Sequence, residues 1–207
     1  MRPTTIALGF LSLFLPVVSA FHISGNETEG GLYKVYLDAS GNEIHELVTP
    51  ATINADAQQL KEAALVQHAP ATPDRHRNLN AYPTQRVFCG CGIAMNSRNC
   101  DDAVANMKEQ IRNRGGTISV PTGQSYYAVR GGVVAFVCSR PGNTAVTPVT
   151  EQLFGELLEV VTYLCGRYVP GTFKHGTPID SAAVDVGYML SGGDFCGSAE
   201  SSSRDSC

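Results

Sequence analysis

Cysteine is the residue type whose number and spacing carry the clearest chemistry in this sequence. The chain of 207 residues has seven cysteines, none among the first 88, and two stand one residue apart in PTQRVFCGCG. The seven are Cys89, Cys91, Cys100, Cys138, Cys165, Cys196 and Cys207. Such a set either binds a metal or forms disulfides. The Cys-x-Cys pair lacks the paired spacing of a zinc site, and no nearby histidine completes one, so we expect disulfides and no metal.

The first twenty residues indicate the compartment in which these cysteines lie. Residues 1–20 are typical of a signal peptide, with Arg2 as the positive start, an apolar run from Ile6 to Val18, and small residues before a cut at Phe21. A buried helix and a membrane anchor are the alternatives, but thirteen apolar residues are too few to span a bilayer. No later segment reaches about 18 apolar residues. We therefore expect a secreted, extracellular protein without stable membrane insertion and with oxidised cysteines.

An odd number of cysteines leaves one thiol free or paired with another molecule. One hypothesis assigns this role to Cys207, which ends the chain after a polar run. In the other, Cys207 fastens the tail and either Cys89 or Cys91 is the spare thiol. A bridge between Cys89 and Cys91 is not expected, because so small a ring is strained. Either way, the sequence predicts at least three intramolecular bridges.

His175 is the one histidine that could support hydrolytic chemistry within residues 87–207. A triad would join it to a serine and to Asp180, Asp185 or Asp194. The G-x-S-x-G motif of a strained nucleophile turn is missing from the sequence. No glycine pattern typical of a phosphate-binding loop enters a helix either. We therefore expect His175 to be a solvated loop residue, and the sequence predicts neither an enzyme nor a cofactor.

Charge limits the partners that this chain can bind. The net charge is −4, and basic residues form no cluster anywhere in the sequence. Binding to nucleic acid or to an anionic membrane needs such a basic patch, so neither is expected. We expect a monomer that recognises a protein or a surface component of a host or a competitor.

Aromatic residues are the best candidates for such a contact, because tyrosine offers a large area at low entropic cost. Tyr126 and Tyr163 fit the apolar stripes of their segments, and we expect both in the core. The loop after the second predicted helix is the more exposed region. The predicted contact surface is Tyr168, Phe173, Lys174 and His175.

Residues 21–86 differ in composition from the rest of the chain. They contain a glycan acceptor at Asn26, followed by the alternating run GLYKVYLDASGNEIHELV, which predicts a β-hairpin. A helix beginning after Asn54 is also predicted, and then a linker rich in Pro, Asn and Arg. We expect this region to be a pro-segment or an N-terminal extension. A protease specific for basic residues would cut after Arg77 or Arg86.

Residues 87–207 read as one cysteine-rich domain with a polar C-terminal tail. The first helix is predicted to begin with Asn99 as its cap, and the second with Thr147 as cap and Pro148 in the first position. RVFC, TISV and VDVGYML predict strands, SYYAVRGGVVAFVC predicts two strands or one bulged strand, and YVPGTFKHGTPID predicts a loop. The fold class expected is α+β: an antiparallel sheet with two helices on one face, an α/β sandwich stapled by disulfides.

Between Cys91 and Cys196 the chain resembles small cysteine-rich secreted proteins of filamentous fungi. The similarity lies in CGCGIAMNSRNCDDAVANMKEQI, GQSYYAVRGGVVAFVC, TYLCGRYVPGTF and VDVGYMLSGGDFCG. In outline it is similar to the virally encoded killer toxins of smut fungi and their cellular relatives. It also resembles necrosis-inducing effectors of plant-pathogenic fungi, homologous to a secreted protein of the tomato leaf-mould fungus. Both groups imply an α/β sandwich with this order of elements.

The resemblance implies a secreted effector or toxin-like protein that binds a host or competitor component without catalysis. The lysine-dependent channel block of the killer toxins matches no residue of this chain. Two alternatives from other classes are a small secreted hydrolase using His175 and a cell-surface structural protein cross-linked through the odd cysteine.

Overall fold

A computed structural model describes residues 21–23, 30–49, 86–140, 143–176, 183–193, 195–196 and 204–207. Its strands are β1 (Leu32–Leu37), β2 (Glu43–Thr49), β3 (Arg86–Cys89), β4 (Thr117–Val120), β5 (Gln124–Arg130), β6 (Val133–Ser139), β7 (Thr147–Thr150), β8 (Gly171–His175) and β9 (Val184–Leu190). The two helices of the described ranges are α1 (Ser97–Asn113) and α2 (Glu151–Cys165).

Seven of these strands form one antiparallel sheet in the order β2-β1-β5-β6-β9-β8-β3, while β4 and β7 form a separate pair. The apolar run Val133–Cys138 lies on β6 at the centre of the large sheet, and each of its residues is buried. Continuous burial is expected of a strand that is covered on both faces. The predicted run SYYAVRGGVVAFVC is therefore two strands, β5 and β6, that pair around Gly131 and Gly132.

Both helices pack on the same face of the sheet, which confirms the predicted α+β class. One core cluster joins Met107 and Ile111 of α1, Phe154 and Val161 of α2, and sheet residues such as Val137. A residue spacing of three and four places these side chains on one side of each helix. The helices and the sheet thus form the two layers expected from the sequence.

The opposite face of the sheet carries a second cluster, here called the aromatic face. Its rings are those of Phe21, Tyr33, Tyr127, Phe136 and Phe195. Phe195 is central, with ring centroids 5.1 Å from Tyr127, 5.7 Å from Phe136 and 6.1 Å from Phe21. Residues from both chain ends therefore cover a face of the sheet that no described helix covers.

Both predicted helix starts are wrong by a few residues. Asn96, not Asn99, caps α1, and its side chain accepts a hydrogen bond from the Asn99 backbone N–H at 3.1 Å. Thr150, not Thr147, caps α2, accepting from the Leu153 N–H at 3.0 Å. Residues 147–150 instead form β7, which pairs with β4.

The predicted loop after α2 is also wrong in its central part, because residues 171–175 form β8 between β3 and β9. A glycine allows α2 to lie directly over this strand. A Cβ atom on Gly171 would stand 2.6 Å from the Val161 side chain and 2.9 Å from the Cys165 sulfur. The position thus requires the one residue that has no side chain.

The hairpin predicted within residues 21–86 is confirmed as β1 and β2, and it belongs to the same sheet as the cysteine-rich part. Tyr33–Tyr36 of β1 pairs with Gln124–Tyr127 of β5. One continuous sheet therefore contains strands from both sides of the predicted boundary at residue 86. Asn26, Asn54 and Arg77 lie outside the described residues.

Candidate contact surface

Three disulfides join six of the seven cysteines, all of which lie in the described residues. They are Cys89–Cys165, Cys91–Cys207 and Cys138–Cys196, with Cα–Cα distances of 5.2, 5.6 and 5.7 Å. The free thiol is Cys100, so the assignments of the odd cysteine to Cys207 and to the Cys89/Cys91 pair are both wrong. The number of bridges and the lack of a Cys89–Cys91 bond agree with the sequence prediction.

Cys100 is the unpaired cysteine, and it faces the core from the first turns of α1. It lies three residues before Ala103 and seven before Met107, and all three are buried. Burial and, secondarily, the charge of Asp101 raise the pKa of this thiol to about 12. This helical spacing was readable in the sequence and would have identified Cys100 as a core residue.

Two of the bridges meet at one end of the molecule, where three segments come together. Cys91 lies in the loop that follows β3, and the Gly90 N–H donates to the Pro170 carbonyl at 2.8 Å. The C-terminal residues contact both β3 and α2. The Cys89 N–H donates to the Arg204 carbonyl at 2.8 Å, and the Cys207 N–H donates to the Leu164 carbonyl at 3.0 Å. Backbone bonds and disulfides therefore fix this end rigidly.

Tyr168 lies in this region with an unusual backbone conformation. Its φ angle is +60°, in the left-handed region that residues other than glycine rarely adopt. The Met95 N–H donates to its carbonyl at 2.8 Å, and its hydroxyl donates to the Asp101 carboxylate at 3.2 Å. The Arg167 guanidinium lies 5.4 Å from the ring centroid. Partial burial and, secondarily, the charge of Asp101 raise the pKa of Tyr168.

Two exposed apolar side chains lie in the segments that adjoin Tyr168, one of them five residues before Tyr168 and the other two residues before Met95, whose N–H binds the Tyr168 carbonyl. Tyr163, in the last turn of α2, is 79% exposed, and Ile93, in the loop after β3, is 46% exposed. The expectation that Tyr163 lies in the core is wrong, since it points away from the buried stripe of Val161 and Cys165, whereas Tyr126 is buried as expected. We call Ile93, Tyr163, Arg167 and Tyr168 the Tyr168 surface.

The rest of the predicted contact surface lies elsewhere. Phe173 is buried in the core from β8, so its predicted exposure is wrong. Lys174 and His175 are half-buried at the far end of β8, with the Lys174 amine 5.7 Å from the Phe88 ring centroid and the His175 ring 6.4 Å from that of Phe173. Gly171 and Lys174 are three residues apart along an extended strand, about 10 Å. The predicted contact residues therefore lie in two regions, with Tyr168 in one and with Lys174 and His175 in the other.

One of the three aspartates considered for a hydrolytic triad has another role in the structure. Asp185 is buried and accepts a hydrogen bond from the Arg140 Nε at 2.7 Å. A second guanidinium nitrogen of Arg140 donates to the Gly176 carbonyl at 2.9 Å. This pair neutralises both charges inside the protein, as buried charges require. Asp180 and Asp194 lie outside the described residues.

A series of polar contacts connects β2 to β5, and it was not predicted from the sequence. The His45 Nε2 lies 2.6 Å from the Glu43 carboxylate, and its Nδ1 lies 2.6 Å from the Tyr127 hydroxyl. Glu43 and His45 are two residues apart on β2, so their side chains point to the same side of the strand. Because the Tyr127 side chain is fully buried, this series of contacts connects the hairpin to β5 and does not present the phenol to a substrate.

The described ranges contain neither a cluster of metal-binding side chains nor a helix suited to crossing a membrane. Within them, no group of three or more His, Cys, Asp or Glu side chains is placed to hold a metal ion. Neither described helix has the length and apolar character needed to cross a membrane.

The fold and the bridges define a class: a small α+β protein in which disulfides tie the sheet to a helix and to the C-terminal tail. Compared with known family models, with curated proteins and with solved structures, the chain has no match. The similarity to fungal toxins and effectors thus stays a prediction from element order and cysteine placement.

Proposed function

We propose that this protein is a secreted fungal effector or toxin-like protein that binds a host or competitor component without catalysis. The observation that supports this most directly is the Tyr168 surface. A tyrosine in a strained conformation is held by Met95 and Asp101, and the adjoining segments of the chain expose Ile93 and Tyr163. Backbone strain of this kind costs about 1–3 kcal/mol, and it persists where the surrounding structure imposes it.

The chemistry of these side chains favours binding to another protein. Tyrosine and arginine are enriched among residues that dominate interface energies, especially near the centre of a contact. Here Arg167 lies over the Tyr168 ring, and Tyr163 presents a largely open face. Because two disulfides and several backbone bonds already fix the segments that carry them, little entropy is lost on binding.

The test is an activity assay with a matched pair of surface variants. The oxidised protein is infiltrated into plant tissue and applied to competing fungi. The double variant Ile93→Ser with Tyr163→Ser removes the exposed apolar area, and we expect at least a tenfold loss of activity. The control is Leu47→Ser with Val146→Ser, which removes side chains 46% and 53% exposed outside this surface. Equal activity of the two double variants would show that the contact lies elsewhere.

The two alternative functions make opposite predictions. A hydrolase would lose its activity in His175→Ala, whereas the binding protein should keep it. A structural protein cross-linked through its odd cysteine should run as an oligomer on non-reducing gels. The odd cysteine is Cys100, which is buried against the core and therefore poorly placed for a bond to another chain.

A further inference from the structure

The β1–β2 hairpin is part of the sheet, yet no covalent cross-link joins it to the rest. Every cysteine lies at or after residue 89, so all three bridges connect residues within 89–207. The chain itself connects the hairpin to β3 through the 36 residues between Thr49 and Arg86. Apart from that connection, non-covalent contacts alone hold the hairpin.

Backbone hydrogen bonds provide the first set of contacts. Tyr33–Tyr36 pairs with Gln124–Tyr127, so β1 covers the side of β5 that β6 does not. Without the hairpin, β5 would become an edge strand with unpaired N–H and C=O groups. An open edge next to a hydrophobic face is a surface that takes up another strand.

Side chains provide the second set, and they fill both faces of the sheet. Leu32 is buried in the core under the helices, while Tyr33 and Val35 are buried in the aromatic face. The Tyr33 ring stacks on Tyr127 with centroids 5.1 Å apart and an interplanar angle of 13°. Phe21 adds its ring to Phe195 from the start of the described chain.

Polar contacts at two points fix the register in which the hairpin pairs with β5. The Glu43–His45–Tyr127 chain connects β2 to a tyrosine of β5. Near the other end of β1, the buried Asn106 side chain of α1 donates to the Gly31 carbonyl at 3.3 Å. Because buried polar groups cost free energy when their partners leave, these bonds favour one specific occupant over an arbitrary strand.

We infer that the segment from Phe21 to Thr49 stays bound as a separate chain when the linker is cut, so that the processed protein is a non-covalent complex of two chains. The covalent step is hydrolysis of one peptide bond by a protease specific for basic residues, which consumes water and leaves a carboxylate and an amine. This inference does not depend on the proposed function.

The structure also separates the two predicted cleavage positions. Arg86 pairs with Lys174 as the first residue of β3, and the following Val87 is buried. A cut after Arg86 would require β3 to leave the sheet, since a protease binds the residues on both sides of the cleaved bond in extended form. Arg77 is therefore the position at which we expect processing.

The test uses the full chain with a recognition sequence for a site-specific protease in place of residues 68–73. The secreted, oxidised protein is cut to completion and analysed by native mass spectrometry and by denaturing gel electrophoresis. We expect two fragments on the gel but one native species containing both, with N-terminal sequencing giving Phe21 and a linker residue. Release of the smaller fragment would overturn the inference, whether or not the larger fragment stays folded.

Hairpin variants test whether the proposed contacts are responsible. After cutting, exchange of the bound fragment is followed with a labelled synthetic peptide of residues 21–49. Val35→Ala and Tyr33→Ala in the protein should weaken retention of its own fragment at least tenfold. The control is Glu46→Ala, which breaks an ion pair with Lys34 inside the hairpin, and we expect no more than a twofold change. Circular dichroism before the cut verifies that each variant is folded, and equal weakening by all three would contradict the assignment of contacts.

Discussion

Replacing both Cys91 and Cys207 by serine tests how the disulfides stabilise this fold. The bridge closes a loop with a sequence separation of 116 residues, the longest of the three. It lies at the surface, with Cys207 exposed and Cys91 half-buried. Its removal therefore changes the unfolded chain strongly and the packing of the folded protein little.

The expected loss follows from the entropy of loop closure. For a loop of this length, the chain-entropy relation gives about 5 kcal/mol at 25 °C, while measured values for single bridges are typically about 2–4 kcal/mol. The hydrogen bonds from Cys89 to Arg204 and from Cys207 to Leu164 still hold the tail after the substitution. We therefore expect the free energy of unfolding to fall by about 3–5 kcal/mol.

The Cys138–Cys196 bridge provides the comparison that separates entropy from packing. Its sequence separation is 58 residues, for which the same relation gives about 4 kcal/mol. Cys138 is buried at the centre of the sheet, however, so serine places a hydroxyl there, which costs roughly 1–3 kcal/mol if it finds no partner. This penalty exceeds the entropic difference between the loops, and the double serine variant at 138 and 196 should be the less stable of the two.

Urea unfolding under non-reducing conditions, followed by far-ultraviolet circular dichroism, measures both variants against the original protein. The slope of free energy against urea should rise in each, because the unfolded chain is less constrained and exposes more surface. A loss below about 1 kcal/mol for the 91/207 variant would refute the entropic argument. A larger loss for that variant than for 138/196 would refute the argument from burial.

Two further predictions concern buried groups. Asp185→Asn leaves the Arg140 charge buried without its partner and should lower the free energy of unfolding by about 3–5 kcal/mol in urea titrations, whereas adding Arg140→Met should recover much of the loss. The Cys100 thiol should not react with thiol reagents until the protein unfolds. Since its pKa is raised from 9.0 to about 12, the unfolded state loses this proton first, and the free energy of unfolding should fall as the pH rises from 9 towards 12. In Cys100→Ala this fall should be smaller between pH 7.5 and 10.5, and an unchanged slope would contradict the assignment.

The elements with strong periodicity were predictable from the sequence. The alternation in β1, the apolar run of β6 and the stripe of α2 each reflect burial that a single segment determines. β8 was not predictable in this way, because prolines and glycines surround it and its pairing partner β3 is distant in the sequence. Tertiary pairing decided its conformation against the local signal.

The helix starts show a different limit. Asn96 and Asn99 are the same residue type three positions apart, and so are Thr147 and Thr150. Either member of each pair could cap a helix. At α2, the pairing of β7 with β4 selects Thr150 by holding residues 147–150 extended. That contact is not visible in the local sequence.

The cysteine pairing and the contact surface also depend on tertiary structure. Six cysteines allow fifteen connectivities, and a free seventh multiplies them. The pairing of Cys91 with Cys207 depends on the position of the tail against the end of α2. For the same reason Tyr168 was predicted as a contact residue from composition, whereas the exposure of Ile93 and Tyr163 depends on how the chain folds.

The two proposals concern different regions of the fold, the Tyr168 surface and the β1–β2 hairpin, and these regions differ in their covalent links. The hairpin lies at one edge of the large sheet and β3 at the other, and β1 and β3 are five strand spacings apart, about 24 Å. The hydrogen bonds and the bridge that fix the Tyr168 surface join residues between Cys89 and Cys207. Two of the three disulfides thus stabilise the region that carries the proposed contact, whereas non-covalent contacts hold the hairpin on the sheet. Because α1 contacts both regions, with Asn106 bonded to Gly31 and Asp101 bonded to Tyr168, loss of the hairpin would act on the Tyr168 surface through this helix and through the global stability of the sheet.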